Sequence, residues 1–234
     1  MHIQPRRQRM RARNTVFLLG FLALLVAVEL VGELWLSQPS AGGSDTFPPW
    51  ISGWDSSLFV LINQSFSSPL LDLFMSIITH GGSTVLWLVV ALLLWFDDRR
   101  REAVLLAVSI VLGGALFLFL KFFINRPRPY QVIAGSKVLT VEGGSSFPSG
   151  HSKNAFSAVV ILGKGRAERW RILLYAFAVV VSFSRVYVGL HYPSDVLVGA
   201  FAGYIIAKIT LRYEKQITSL TDRYLPLIKK NEKP

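Results

Sequence analysis

Apolar runs and short polar breaks alternate along the chain, and most of the runs are too long and too evenly apolar to be faces of soluble helices. The first run, residues 15–36, can cross ~30 Å of hydrocarbon at ~1.5 Å per residue. It exceeds the ~7 to 15 residues of a signal-peptide core and carries Glu29 and Glu33, so it reads as a span with a polar seam on one face. Residues 69–96 form a second run broken at His80-Gly81-Gly82-Ser83; neither half spans alone, so the pair is predicted to cross once, bent at the glycines. A third covers residues 103–124 and stops before Pro127 and Pro129. Ser149 suits the N-cap of a fourth, running to about residue 162. Residues 172–187 make a fifth, and Pro193 opens a sixth that ends near residue 211.

Between the first two runs, residues 37–56 are rich in Pro, Gly, Ser and Trp, and with Trp35 nearby they suit a loop with tryptophans at headgroup depth. Asp55 or Ser56 is placed to cap a short helix to about Phe66, too short to cross and therefore lying on the membrane. The fold class expected is all-α, a polytopic membrane helical bundle with six transmembrane helices and a short interfacial helix. Residues 1–234 read as a single integral-membrane domain, with a basic cytoplasmic N-terminus over residues 1–13 and a polar, basic tail over 212–234.

Composition agrees: 52% of residues are hydrophobic, and the absence of cysteine excludes a disulfide framework and thiolate metal sites. A net charge of +11 raises nucleic acid as a partner, but the basic residues sit between apolar blocks, as the anchors of cytoplasmic loops do. With the N-terminus inside, most of the 25 lysines and arginines fall on the cytoplasmic side. Lys121, Arg126, Arg128, Lys137, Lys153 and Arg185 fall on the other. This bias orients a multi-pass cell-membrane protein with both termini cytoplasmic and the chemically unusual residues at the outer face.

Those residues are the candidate site. A charged side chain at mid-bilayer depth costs at least ~2.5 kcal/mol, so ionisable groups among apolar spans are read as lining a functional cavity. Lys121, Arg128 and Arg185 supply fixed cations, and Arg126 is an accessory contact or an interface anchor. Ser149 and Gly150 put free amide N–H groups at a helix N-terminus, which binds phosphate. Asp195, four residues after His191, can accept the Nδ1 proton and leave Nε2 as a nucleophile. His151, beside the phosphate-binding turn, can protonate the leaving oxygen. No metal or cofactor is required. His80 is a further candidate for supporting the site, though a histidine at a helix break can equally bond local backbone.

Three stretches carry a family likeness: Lys121 followed by six residues and Arg128-Pro129; Pro148-Ser149-Gly150-His151; and Ser184-Arg185, then His191 and Asp195. In these the chain resembles the type 2 phosphatidic acid phosphatases, integral-membrane lipid phosphatases related in their core to vanadium haloperoxidases and glucose-6-phosphatase. The resemblance implies that Lys121, Arg128, Ser149, Gly150 and Arg185 hold phosphate, that His151 is the acid, His191 the nucleophile and Asp195 its partner. The compact six-span layout looks like the bacterial phosphatidylglycerophosphate phosphatases of the B type. Expected partners are a lipid phosphate and the bilayer, with no nucleic acid and no obligate protein. The alternatives are an undecaprenyl pyrophosphate phosphatase of lipid-carrier recycling, with the same chemistry, and a lipid flippase or transporter. A transporter would have no need of an aspartate-oriented histidine, and no internal repeat is detected.

Overall fold

The computed structural model describes residues 47–224, and among these every regular element is helical. The predicted first span, with Glu29, Glu33 and Trp35, lies outside the described residues, as does the end of the tail. Helix α1, Pro49–Ser65, buries Asp55, Phe59 and Asn63 at four-residue spacing on one face and exposes Trp50, Trp54 and Leu61. It starts earlier than the expected cap at Asp55 or Ser56, because Pro49 sits at its first turn and Asp55 points inward instead of capping.

The broken second run is present as α2, Pro69–Ile78, a 3₁₀ turn over Thr79–Gly82, and α3, Thr84–Phe96, with a bend of 58° between the halves. Ser68 caps α2 by accepting the N–H of Leu71 at 3.2 Å. Helix α4, Arg100–Ile124, ends at Asn125 in a left-handed conformation, and the prolines beyond it turn the chain into a short α5, Pro129–Val132. Then come α6, Gly150–Leu162; α7, Glu168–Tyr187; α8, Pro193–Arg212; and α9, Glu214–Tyr224.

Among the described residues, three helices, α4, α7 and α8, are long and apolar enough to cross a membrane, and the bent α2–α3 pair makes a fourth candidate. Helix α6, the predicted fourth span, forms where expected, but its 13 residues reach only ~20 Å. It is sheathed by protein instead of lipid: its buried residues run from Ser152 to Ile161, and the buried 145–149 segment continues the path above it. That sheath lets α6 bury the polar side chains of Ser152, Lys153, Asn154 and Ser157. Lys153, assigned to the outer side from sequence, is buried here and donates from Nζ to the carbonyl of Ile110 at 3.2 Å.

Helix α8 approaches α6 closely through Gly199 and Gly203, a small-xxx-small pair. A Cβ on Gly199 would stand 2.4 Å from the carbonyl oxygen of Ser149, and one on Gly203 would stand 2.2 Å from that of Lys153. The main apolar core lies nearer the other end, where Trp87, Leu88, Leu105, Leu106, Ile110 and Ile161 pack together. Glu214 of α9 closes that end by pairing with Arg101 and Lys164.

Candidate active site

Three loops meet at the opposite end. Gly189, with φ of +94°, takes a left-handed turn after α7, and the N–H groups of Leu190 and His191 both reach back to the Arg185 carbonyl at 3.2 Å. A side chain at Gly189 would strike the Lys137 carbonyl, so this turn is where residues 133–139 lie against it. Asn63 of α1 fastens the same junction, donating to the carbonyls of Lys137 and Tyr187 and accepting the Lys137 N–H, all at 2.8 Å. The outcome is a buried His191 fixed just ahead of α8.

His191 Nε2 stands 3.5 Å from Nη1 of Arg128, and its Nδ1 stands 3.6 Å from Oδ2 of Asp195. The second separation is beyond hydrogen-bonding distance, a common state of catalytic pairs in free enzymes that tightens in the substrate complex. Oδ2 of Asp195 meanwhile accepts the Tyr192 N–H at 2.8 Å. Burial, and then the positive charges of Arg128 and Arg185, hold the His191 ring well below the ordinary imidazole range, so it is neutral at pH 7.

Arg128 is almost wholly buried and donates to the carbonyls of Gly143, at 2.7 Å, and of Leu190, at 3.2 Å. Arg185 donates from Nη1 to the hydroxyl of Thr79 at 2.8 Å and from Nη2 to Glu142 at 2.5 Å. Glu142 Oε2 also lies 3.5 Å from Arg128 Nη2, so one carboxylate sits between the two guanidinium groups. Burial pushes the Glu142 carboxyl up, but the charges of Arg185, His151 and Arg128 outweigh it and hold Glu142 well below the usual carboxylate range. Lys121, in the last turn of α4, adds its charge to the field on His191.

Ser149 is the N-cap of α6, as its position predicts, and its hydroxyl accepts from the Ser152 hydroxyl at 3.1 Å. Its backbone N–H bonds the Asp195 carbonyl at 3.0 Å, which ties the starts of α6 and α8. No atom from elsewhere in the fold lies within 4 Å of where a Cβ on Gly150 would stand, so ligand can approach the first turn of α6 there. His151 is seated on the 3₁₀ turn, where a Cβ on Gly82 would stand 2.6 Å from its own Cβ.

All eight residues expected at the site thus converge on one end of the bundle. His80, considered for support, is exposed, and its neighbours Thr79 and Gly82 make the contacts instead. Sequence reasoning missed Thr79, Asp55 and Glu142. Glu142 left one signal, as the single carboxylate in residues 125–149. Arg126, left open, is buried: it donates to Asp195 and to Asp55 at 2.8 Å each and stacks on Tyr192, 3.9 Å from the ring centroid.

The chain that carries this arrangement has known relatives. The description of the PAP2 superfamily matches residues 102–219, and the chain belongs to that superfamily. It is therefore a membrane-embedded phosphatase. An undecaprenyl-diphosphatase of Sulfolobus acidocaldarius is 30% identical over 200 residues, covering 85% of this chain and 90% of the relative. Among solved structures, LpxE of Aquifex aeolicus superposes with a TM-score of 0.65 at 33% identity, covering 68% of this chain and 96% of that one. A PAP2 type phosphatidylglycerolphosphate phosphatase from Bacillus subtilis shares the fold at 24% identity with the same TM-score, covering 84% and 96%.

Proposed function

We propose that the protein removes the terminal phosphate of a membrane lipid by two transfers through His191, with phosphatidylglycerophosphate as the substrate and phosphatidic acid as a further one. The observation that supports this is the placement of His191, with Nε2 turned to Arg128 and Nδ1 turned to Asp195. In the first step Nε2 attacks phosphorus, the bond from phosphorus to the lipid oxygen breaks, and His151 gives that oxygen its proton. In the second, His151 takes a proton from water, whose oxygen attacks phosphorus and releases His191 and inorganic phosphate. Lys121, Arg128, Arg185 and the N–H groups following Ser149 and Gly150 hold the phosphoryl oxygens, and Asp195 steadies the positive charge that develops on His191.

This scheme uses no metal or cofactor, and its partners are the lipid and the bilayer. The excess of lysine and arginine in the inner turns supports cytoplasmic termini and a site at the outer face. A second reading, with undecaprenyl diphosphate as substrate, is favoured by the likeness to the Sulfolobus protein. There the bond broken joins the two phosphorus atoms through oxygen, and the leaving group is already anionic. Both readings are tested by phosphate release from the two lipids in competition, in detergent with EDTA present. Wild-type protein is expected to release phosphate and His191→Ala to fall to background; turnover by that variant at the wild-type rate would remove His191 from its role.

A further inference from the structure

The side chain of Arg126 is fully buried and meets the Asp195 oxygen that His191 does not face. Its Nη1 donates to Asp195 Oδ1 at 2.8 Å and to the Ser194 hydroxyl at 3.0 Å, and its Nη2 donates to Asp55 Oδ2 at 2.8 Å. Asp55 also accepts the N–H of Ser194 at 2.8 Å, together with the Ser194 hydroxyl. The guanidinium plane lies between two rings, 4.4 Å from the centroid of Phe47 and 3.9 Å from that of Tyr192. Two carboxylates therefore share one guanidinium at a place where Asp55, Arg126 and Asp195 are each 0% exposed.

The consequence for Asp195 is geometric. Oδ1 is taken by Arg126 and Oδ2 by the Tyr192 N–H, so the carboxylate cannot rotate, and Oδ2 is left facing His191 Nδ1. We infer that Arg126 is a positioning residue, which holds the Asp195 carboxylate in register with His191 and is itself held by Asp55 of the surface helix α1. This inference rests on the reading of His191 as nucleophile. A fork is needed for it: a guanidinium reaches both carboxylates at once, whereas an ammonium is a single point. The same clasp ties α1, with Trp50 and Trp54 on its outer side, to the catalytic pair.

Charge arithmetic gives a test that a merely structural role would not pass. Arg128, Arg185, Glu142 and Lys121 act on His191 from the other sides and are unchanged in the variants. Arg126→Met removes a cation beside Asp195, which favours protonation of the pair and moves the acid limb of kcat/KM to higher pH. Asp55→Asn removes an anion from the same cluster and moves that limb to lower pH. In Arg126→Met, kcat is expected to fall by about 10- to 100-fold while KM stays within about twofold, because the phosphate contacts remain. Arg126→Lys restores the position of the limb and part of kcat.

Histidine nitrogen-15 NMR supplies a readout independent of turnover. The chain has 4 histidines, and the His191 signals are identified by their loss in His191→Asn. Wild-type protein is expected to show the Nδ1–H tautomer at His191, and Arg126→Met a mixture of the two. If Arg126→Met does not fold, the opposite or absent shift in Asp55→Asn and the tautomer in Arg126→Lys decide the matter. Limbs that move the same way in both charge-removing variants, a raised KM with unchanged kcat, or an unchanged tautomer would overturn the inference. The expected tautomer difference between wild-type protein and Arg126→Met, with no phosphate released by wild-type protein, would leave the positioning intact and defeat the phosphatase reading.

Discussion

His191 and Asp195 differ from ordinary surface ionisable groups because neither meets water: one is 1% and the other 0% exposed. Burial first, and Arg128 and Arg185 next, lower the affinity of the His191 ring for a proton in the free protein. A nucleophile must be neutral, and kcat/KM reports the free enzyme, so its acid limb is expected below the usual imidazole value of ~6.5. A pH profile of kcat/KM in detergent checks this, and an acid limb at or above that value would contradict the assignment of His191. The motif residues were legible because charges stand out in apolar sequence: Lys121, Arg128, His151, Arg185, His191 and Asp195 could each be named from their neighbours alone. The residues that hold them were not. Asp55 and Arg126 lie 71 positions apart, and Arg185 and Glu142 43 apart, so their pairing depends on the path of loops that carry no periodic pattern.

At the level of elements, the break at Thr79–Gly82 does more than bend a span. Thr79 receives Arg185, and Gly82 makes room for His151 against the turn. A Cβ on Gly82 would lie within 2.8 Å of the Cβ, Cα and carbonyl oxygen of His151, none of which belongs to a flexible tip. Gly82→Ala is therefore expected to displace His151, cutting turnover by about 10- to 100-fold, and to lower stability by ~1 to 3 kcal/mol. Gly53→Ala on α1 meets nothing within 4 Å and is the neutral comparison. Turnover and thermal unfolding of the two variants check this, and a Gly82→Ala protein as active as Gly53→Ala would contradict it. The break itself was readable from two adjacent glycines inside an apolar run. The depth of α6 was not, since only its neighbours reveal that protein, instead of lipid, surrounds its short length. Helix α9 was read as tail, because its sequence is polar and its ties to the bundle are few: Glu214, shared by two distant basic residues, and Ile217, packed on the apolar core.

For the molecule as a whole, the helices form two functional ends. One is an apolar core closed by Glu214 with Arg101 and Lys164; at the other, α1, the 125–149 segment and the turn before α8 gather the cations and histidines. This division makes sense of the composition: Arg99, Arg100, Arg101, Lys164 and Arg166 sit in or beside turns, whereas Arg126, Arg128 and Arg185 at the site are buried and paired. The central claim is that a phosphoryl group passes through His191 on its way to water. It is tested most directly by rapid quenching of purified protein mixed with phosphatidylglycerophosphate labelled with phosphorus-32 in its terminal phosphate. A transient, alkali-stable label on His191, absent from His191→Ala, is the predicted result. Release of labelled phosphate by wild-type protein with no label on the chain at any time of quenching would contradict the account.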